Sequence, residues 1–273
     1  MLEARYVDVD GALAFVELAG EGQPVLCIHT AGQSGAQWRH TTTALAAHGY
    51  RVVVPDLPGH GRSEPAPGGP VRDLADYARF CLTLVDRLGL QSPLVVGCSI
   101  GGKIALEMAA QAGEGIAGVV AMAAEAGRGH IKLNSLEREL EDIAAPSRAD
   151  RTYLGTQAVL GSAVDEARAR LIATMHRRED PAVSNSDLIG WGTHDVRGAL
   201  GTIRQPVHLV AGEDDLWISA DRVRWAASQL VDGRFTLLPG IGHYPMEEIA
   251  DFADVLAGWL AELTVRAAAR LTA

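Results

Sequence analysis

Four apolar, largely β-branched runs recur through the first half of the chain with amphipathic stretches between them: PVLCIHT (Pro24 to Thr30), RVVVPD (Arg51 to Asp56), SPLVVGCS (Ser92 to Ser99) and GIAGVVAMAA (Gly115 to Ala124). A run that is apolar at nearly every position, rather than at every second one, suits a strand covered on both faces. Such strands belong to parallel sheets crossed by helices. QPVHLVAGE (205–213) and RFTLLPG (234–240) continue the series, and ARYVDV and ALAFVEL, joined through Asp10-Gly11, read as an opening hairpin. Helical periodicity covers Asp73 to Leu88, Gly102 to Gln111 and a long closing segment from Glu247 to about Leu271. The expected fold class is therefore α/β, a mostly parallel eight-stranded sheet flanked by helices.

The alternation breaks between Gly127 and about Arg204, where SLERELEDIAA and SAVDEARARLIATMHRRED are charged and helical and no strand intervenes. So long an insertion does not suit a structureless loop. We read it as a helical cap (127–204) laid over one end of a core made of residues 1–126 and 205–273. Ligands of open α/β sheets bind outside the carboxyl ends of the strands, so a cap there would cover the site.

The stretch VVGCSIGGK, Val95 to Lys103, sets Ser99 between Gly97 and Gly101 where a strand pattern gives way to a helical one. Alone, G-x-S-x-G is a common turn. In a strand-turn-helix context it presents a serine hydroxyl at a helix N-terminus, where backbone N–H groups favour a developing anion. A serine needs a base, and the base needs an orienting acid. GIGHYPMEE offers His243 after the last strand, and AGEDDLW offers Asp214 and Asp215 after the preceding one, with Asp195 as a third acid at the cap junction. The other histidines fit poorly. His40, His48, His130 and His176 read as surface or packing residues, and His208 as a core residue. The small-residue loop LCIHTAGQSGAQW would supply the amide of Ala31, which with that of Ile100 would make an oxyanion hole. Thr30, Trp38, Trp191 and His194 are the expected substrate-pocket residues.

Composition excludes other classes. Among 273 residues the formal charge is −10 with no basic block, which argues against a nucleic-acid surface. The N-terminal stretch lacks a basic and apolar leader pattern, and no apolar run is long enough to span a bilayer, so no membrane partner and a cytoplasmic address are expected. Cys27, Cys81 and Cys98 have no metal-ligand spacing and read as structural. No phosphate loop, dinucleotide fingerprint or metal cluster occurs, so no cofactor is expected. The expected partner is a small-molecule substrate, and a homodimer is compatible.

IHTAGQSGAQW, PDLPGHGRS, GCSIGG, AGEDDLW and GIGHYPMEE, in this order, make the chain similar to the α/β-hydrolase fold family over nearly its full length. The resemblance implies Ser99 as nucleophile, His243 as general base and acid, and Asp215, three residues after Gly212, as the acid. It implies hydrolysis of an ester or lactone through an acyl-enzyme. Cleavage of a carbon–carbon bond beside an activated ketone, or ligand reception without turnover, are alternatives in the same fold. Halide- and epoxide-processing relatives carry aspartate where this chain has Ser99. PDLPGHGRS, Pro55 to Ser63, reads as structural: Pro58 and the glycines shape a turn, and His60 is not expected to be catalytic. One departure stands out: Thr30 follows His29 where the family usually has glycine.

Overall fold

In the computed structural model, which describes residues 1–131, 136 and 148–272, the eight expected strands form one sheet. They are β1 (Leu2–Val9), β2 (Ala12–Ala19), β3 (Gln23–Ile28), β4 (Tyr50–Pro55), β5 (Leu94–Cys98), β6 (Gly118–Met122), β7 (Val207–Gly212) and β8 (Gly233–Leu238), in the order β1-β2-β4-β3-β5-β6-β7-β8. The hairpin forms as the sequence implies: Asp10 and Gly11 both take positive φ, 52° and 87°, and Val9 pairs with Ala12 across the turn. β2 runs antiparallel to β4, and every pairing from β4 to β8 is parallel. β5 and β6 are buried at every position, as their unbroken apolar runs require.

Flanking the sheet are α1 (Thr42–Ala47), α2 (Leu74–Arg87), α3 (Ile100–Ala112), α7 (Ala220–Gln229), α8 (Pro245–Glu248) and α9 (Phe252–Thr272), with α4 (Arg148–Ala158), α5 (Glu166–His176) and α6 (Pro181–Thr193) inserted between β6 and β7. Local chemistry explains their limits. The Asp73 carboxylate accepts the Ala75 amide at 2.9 Å and starts α2, whose Leu74, Tyr77, Ala78, Cys81, Leu84 and Val85 form one buried stripe. Each such large apolar side chain contributes about 1.5–3 kcal/mol on burial. Asp165 and Asp180 cap α5 and α6 in the same way, and Pro181 occupies the first turn of α6.

The closing helix differs from expectation. It is two pieces, α8 and α9, with Ile249 extended between them. The Arg168 guanidinium takes the carbonyls of Glu247 at 2.6 Å and Ile249 at 3.3 Å, withdrawing them from a continuous helical ladder. The helical reading of SLERELEDIAA, Leu136 apart, lies outside the described residues, whereas that of SAVDEARARLIATMHRRED corresponds to α5. Among the described residues no helix is long and apolar enough to cross a membrane.

Register brings the site together. Ile28 lies opposite Gly97, Cys98 opposite Met122 and Met122 opposite Val210, so the loops after β3, β5, β6 and β7 leave the sheet side by side.

Candidate active site

Ser99 stands between β5 and α3 with φ 57° and ψ −118°, a conformation that costs an L-residue free energy and persists only when its surroundings enforce it. Here they do. The Ser99 amide donates to the Met122 carbonyl at 2.9 Å, and the Ser99 carbonyl accepts the Lys103 amide at 3.1 Å. The flanking glycines are required by space: a Cβ on Gly97 would lie 2.1 Å from the Gly101 oxygen, and one on Gly101 2.5 Å from the Ile28 oxygen. Strand, turn and helix thus approach too closely for any side chain. Cys98 donates its thiol to the His243 carbonyl at 3.2 Å, which ties the serine turn to the histidine loop.

His243 and Asp215 meet. The His243 Nδ1 lies 2.7 Å from the Asp215 Oδ2, and both side chains are nearly inaccessible to water. Asp215 is held first by its own turn, its Oδ1 accepting the amides of Trp217 at 2.9 Å and Ile218 at 3.2 Å. Trp217, half exposed, packs edge-on against the His243 ring at 4.9 Å. The two other acids face elsewhere. Asp214 accepts the Ser162 amide at 2.7 Å, which lowers its pKa, and Asp195 is bound by Arg197, which lowers its pKa to about 2.

The histidine loop is set by backbone contacts that only glycine allows. A Cβ on Gly242 would lie 2.0 Å from the Val159 oxygen, and one on Gly212 2.2 Å from the Gly242 oxygen. The buried carboxylate of Glu248 then accepts the amides on either side of His243, Gly242 at 2.6 Å and Tyr244 at 2.8 Å, together with Gly161 at 2.9 Å. Burial pushes the Glu248 carboxyl pKa up despite these three bonds. The His243 amide donates to the Val159 carbonyl at 2.9 Å, so the insertion touches this loop directly.

After β3, the Thr30 amide and hydroxyl both donate to the Gln37 Oε1, at 2.9 and 3.1 Å. The Gly32 amide donates to the Asp187 Oδ2 at 2.8 Å. Among the described residues the Ala31 amide between them has no protein acceptor. Gln37 belongs to a buried network: its Nε2 donates to the Glu247 Oε2 at 3.1 Å, which lies 2.6 Å from the His176 Nε2, while Arg39 donates to the Glu247 Oε1 at 2.8 Å. Burial would raise the Glu247 pKa, but His176 and Arg39 hold it below the ordinary carboxylate value.

Three of the expected pocket residues lie differently. Trp38 is fully buried in the core with its ring 6.3 Å from that of Phe252, because the short 3-10 helix Gly35–Trp38 turns it toward α9. His194 ends α6 and bonds Glu107 of α3 at 2.9 Å, and its carbonyl accepts the buried Lys103 ammonium at 3.3 Å. Desolvation brings the Lys103 pKa down to about 8. The Thr30 side chain is turned onto Gln37, and Trp191, half-buried, lies 5.9 Å from the same ammonium. His176, expected at the surface or in packing, is buried in the Glu247 pair. Gln37, Asp187, Glu247 and Glu248 carried no signal in the sequence that set them apart from other polar residues. The cysteines are all buried, with burial raising their thiol pKa values. Among the described residues no cluster could hold a metal ion.

Ser99 in its turn after β5, Asp215 after β7 and His243 after β8 thus stand at the carboxyl ends of strands of a mostly parallel sheet. The chain belongs to the α/β-hydrolase fold family, whose model matches residues 23–162. It is 25% identical over 246 residues, 85% of each chain, to a 2-hydroxy-6-oxo-6-phenylhexa-2,4-dienoate hydrolase of Burkholderia cepacia. It is 28% identical over 247 residues to a pimeloyl-[acyl-carrier protein] methyl ester esterase of Nitrosomonas europaea, covering 84% of this chain and 92% of that one. An esterase of Exiguobacterium antarcticum has the same fold, with a TM-score of 0.83 at 19% identity, covering 95% of this chain and all of that one.

Proposed function

We propose that this α/β hydrolase cleaves a carboxylic ester or lactone through an acyl-enzyme on Ser99. The observation that supports this best is the 2.7 Å bond between Asp215 and His243, the latter on a loop that Cys98 ties to the turn presenting Ser99. In this reading His243 takes the Ser99 proton through Nε2 as Oγ attacks the carbonyl carbon, while Asp215 holds the imidazole tautomer and stabilises the imidazolium. The amides of Ala31 and Ile100 bind the tetrahedral oxyanion. His243 then protonates the leaving alcohol, and water, deprotonated by the same imidazole, releases the acid. The insertion 127–204 serves as the cap, and its helices exclude water from this chemistry.

Similarity to a hydrolase named for an oxo-dienoate supports a conjugated oxo acid as a second substrate class for the same residues. A fluorophosphonate probe tests the common mechanism: stable labelling of the folded protein, lost in Ser99→Ala, is the expected result. An unlabelled wild-type protein would instead fit a receptor. Turnover of p-nitrophenyl esters, lactones and a vinylogous diketone by the labelled protein then ranks the substrate classes.

A further inference from the structure

Asp187 stands in the interior of α6, where an aspartate is a poor helix former, and its side chain is wholly buried. A buried carboxylate is strongly destabilising unless it is fully bonded. Its bonds come from three separate parts of the chain. Oδ2 accepts from the Gly32 amide and from the His60 Nε2, each at 2.8 Å, and Oδ1 accepts from the Tyr77 hydroxyl at 2.8 Å. His60 also donates from Nδ1 to the Pro58 carbonyl at 3.1 Å, so both ring nitrogens donate and the ring is the charged partner of the carboxylate. Burial opposes that charge, and the Asp187 carboxylate more than offsets it, raising the His60 pKa.

We infer that Asp187 is a positioning residue that anchors the far side of Ala31, so that the inserted helix α6 steadies the oxyanion-hole amide whose direction is set from the Thr30 side. The inference rests on the serine-hydrolase reading. Three successive peptide planes carry it. The plane before Thr30 is held by the Thr30 amide on Gln37. The plane between Thr30 and Ala31 is held by its carbonyl, which accepts from the Gln33 amide at 3.2 Å and from the His29 Nδ1 at 2.9 Å, in the tautomer whose Nε2 accepts the Leu57 amide. In a trans peptide the N–H points opposite to the carbonyl, so the Ala31 N–H is turned away from both of those donors. Among the described residues, the plane between Ala31 and Gly32 is held by Asp187 alone.

No side chain fits at Gly32. Its φ is +67°, and a Cβ there would meet the Ser184 hydroxyl of α6 at 2.8 Å. Without the Asp187 acceptor a buried N–H is orphaned, and the Ala31–Gly32 peptide is free to rotate about a glycine that tolerates many conformations. Ala31 then keeps only the anchor on its Thr30 side, so its amide is less firmly placed, while the fold and the pocket walls stay in place. Gln37 and His29 hang from the core, whereas Asp187 belongs to the insertion, so seating of α6 and steadying of the anion-binding pocket are one event.

The test follows the rate, not only the extent, of Ser99 labelling by a fluorophosphonate, whose phosphoryl oxygen uses the same donors as an ester oxyanion. Asp187→Asn keeps the size of the side chain but leaves one acceptor oxygen for three donors. Labelling should reach the wild-type stoichiometry at a rate lowered about tenfold to a hundredfold, with kcat for p-nitrophenyl acetate falling in parallel and KM little changed. Wild-type rates in a folded Asp187→Asn protein would overturn the role of Asp187 alone. A wild-type protein that is never labelled would overturn the serine-hydrolase reading itself. Amide hydrogen exchange of the wild-type protein decides the matter even where the variant does not fold: Gly32 should be strongly protected and Ala31 not, and equal, fast exchange at both would overturn the inference.

Discussion

The Asp215 Oδ2 lies 2.7 Å from the His243 Nδ1, whereas the carboxylate of Asp214, one residue earlier, lies against the Ser162 amide at the same distance. Adjacent side chains point apart, so the two substitutions separate cleanly. Asp215→Asn should lower kcat for an ester substrate by about four orders of magnitude, by leaving the imidazole in the wrong tautomer. Asp214→Asn should stay close to wild type. The reverse pattern would mean that the Asp215 bond is only structural.

Glu248 brackets His243 by accepting the amides of Gly242 and Tyr244. Glu248→Gln replaces an acceptor oxygen with an NH2 group that faces N–H donors, and each buried amide left unpaired costs about 1–3 kcal/mol. A lower Tm together with a lower kcat is expected from thermal unfolding and steady-state assays on the same preparation. Normal stability with normal turnover would show that the loop is held by its glycine contacts alone.

Glycine positions divide by space. Gly97→Ala would drive a Cβ to 2.1 Å from the Gly101 oxygen, which neither strand nor helix can yield, and should abolish accumulation of folded protein. Gly258, in α9, has no neighbour within 4 Å of such a Cβ, and Gly258→Ala should stabilise the protein by about 0.5–1 kcal/mol. The yield of folded protein checks the first, and the denaturant midpoint checks the second.

Burial, with Arg234 and Arg266 nearby, lowers the His208 pKa to about 4. The folded state therefore refuses a proton that the unfolded chain accepts below about pH 6.5, and stability from this residue falls as the pH drops from about 6.5 toward about 4. The limiting slope is about 1.4 kcal/mol per pH unit. His208→Gln, which can still reach Thr236, the present partner at 2.8 Å, should flatten the acid limb of a plot of unfolding free energy against pH. An unchanged limb would place the acid sensitivity in other groups.

All eight strands and the serine turn were legible in the sequence because their determinants are local. An unbroken apolar run dictates burial on both faces, Asp10-Gly11 dictates a tight turn, and Gly97 and Gly101 mark where backbones must touch. His243 and the pair Asp214 and Asp215 were legible for the same reason, each following a recognisable strand. What only the tertiary structure decided are pairings across the chain. Gly32 meets Asp187 across 155 positions and Gln37 meets Glu247 across 210, and no periodicity reports a partner so far away. Trp38 reads from the sequence as a pocket aromatic, yet a short 3-10 helix turns it onto Phe252, and Arg168 breaks a helix whose own sequence would continue. Local pattern settles which groups are buried and where the backbone bends. Which buried polar group satisfies which depends on three-dimensional packing, since a hydrogen bond is set by distance and direction and not by separation along the chain.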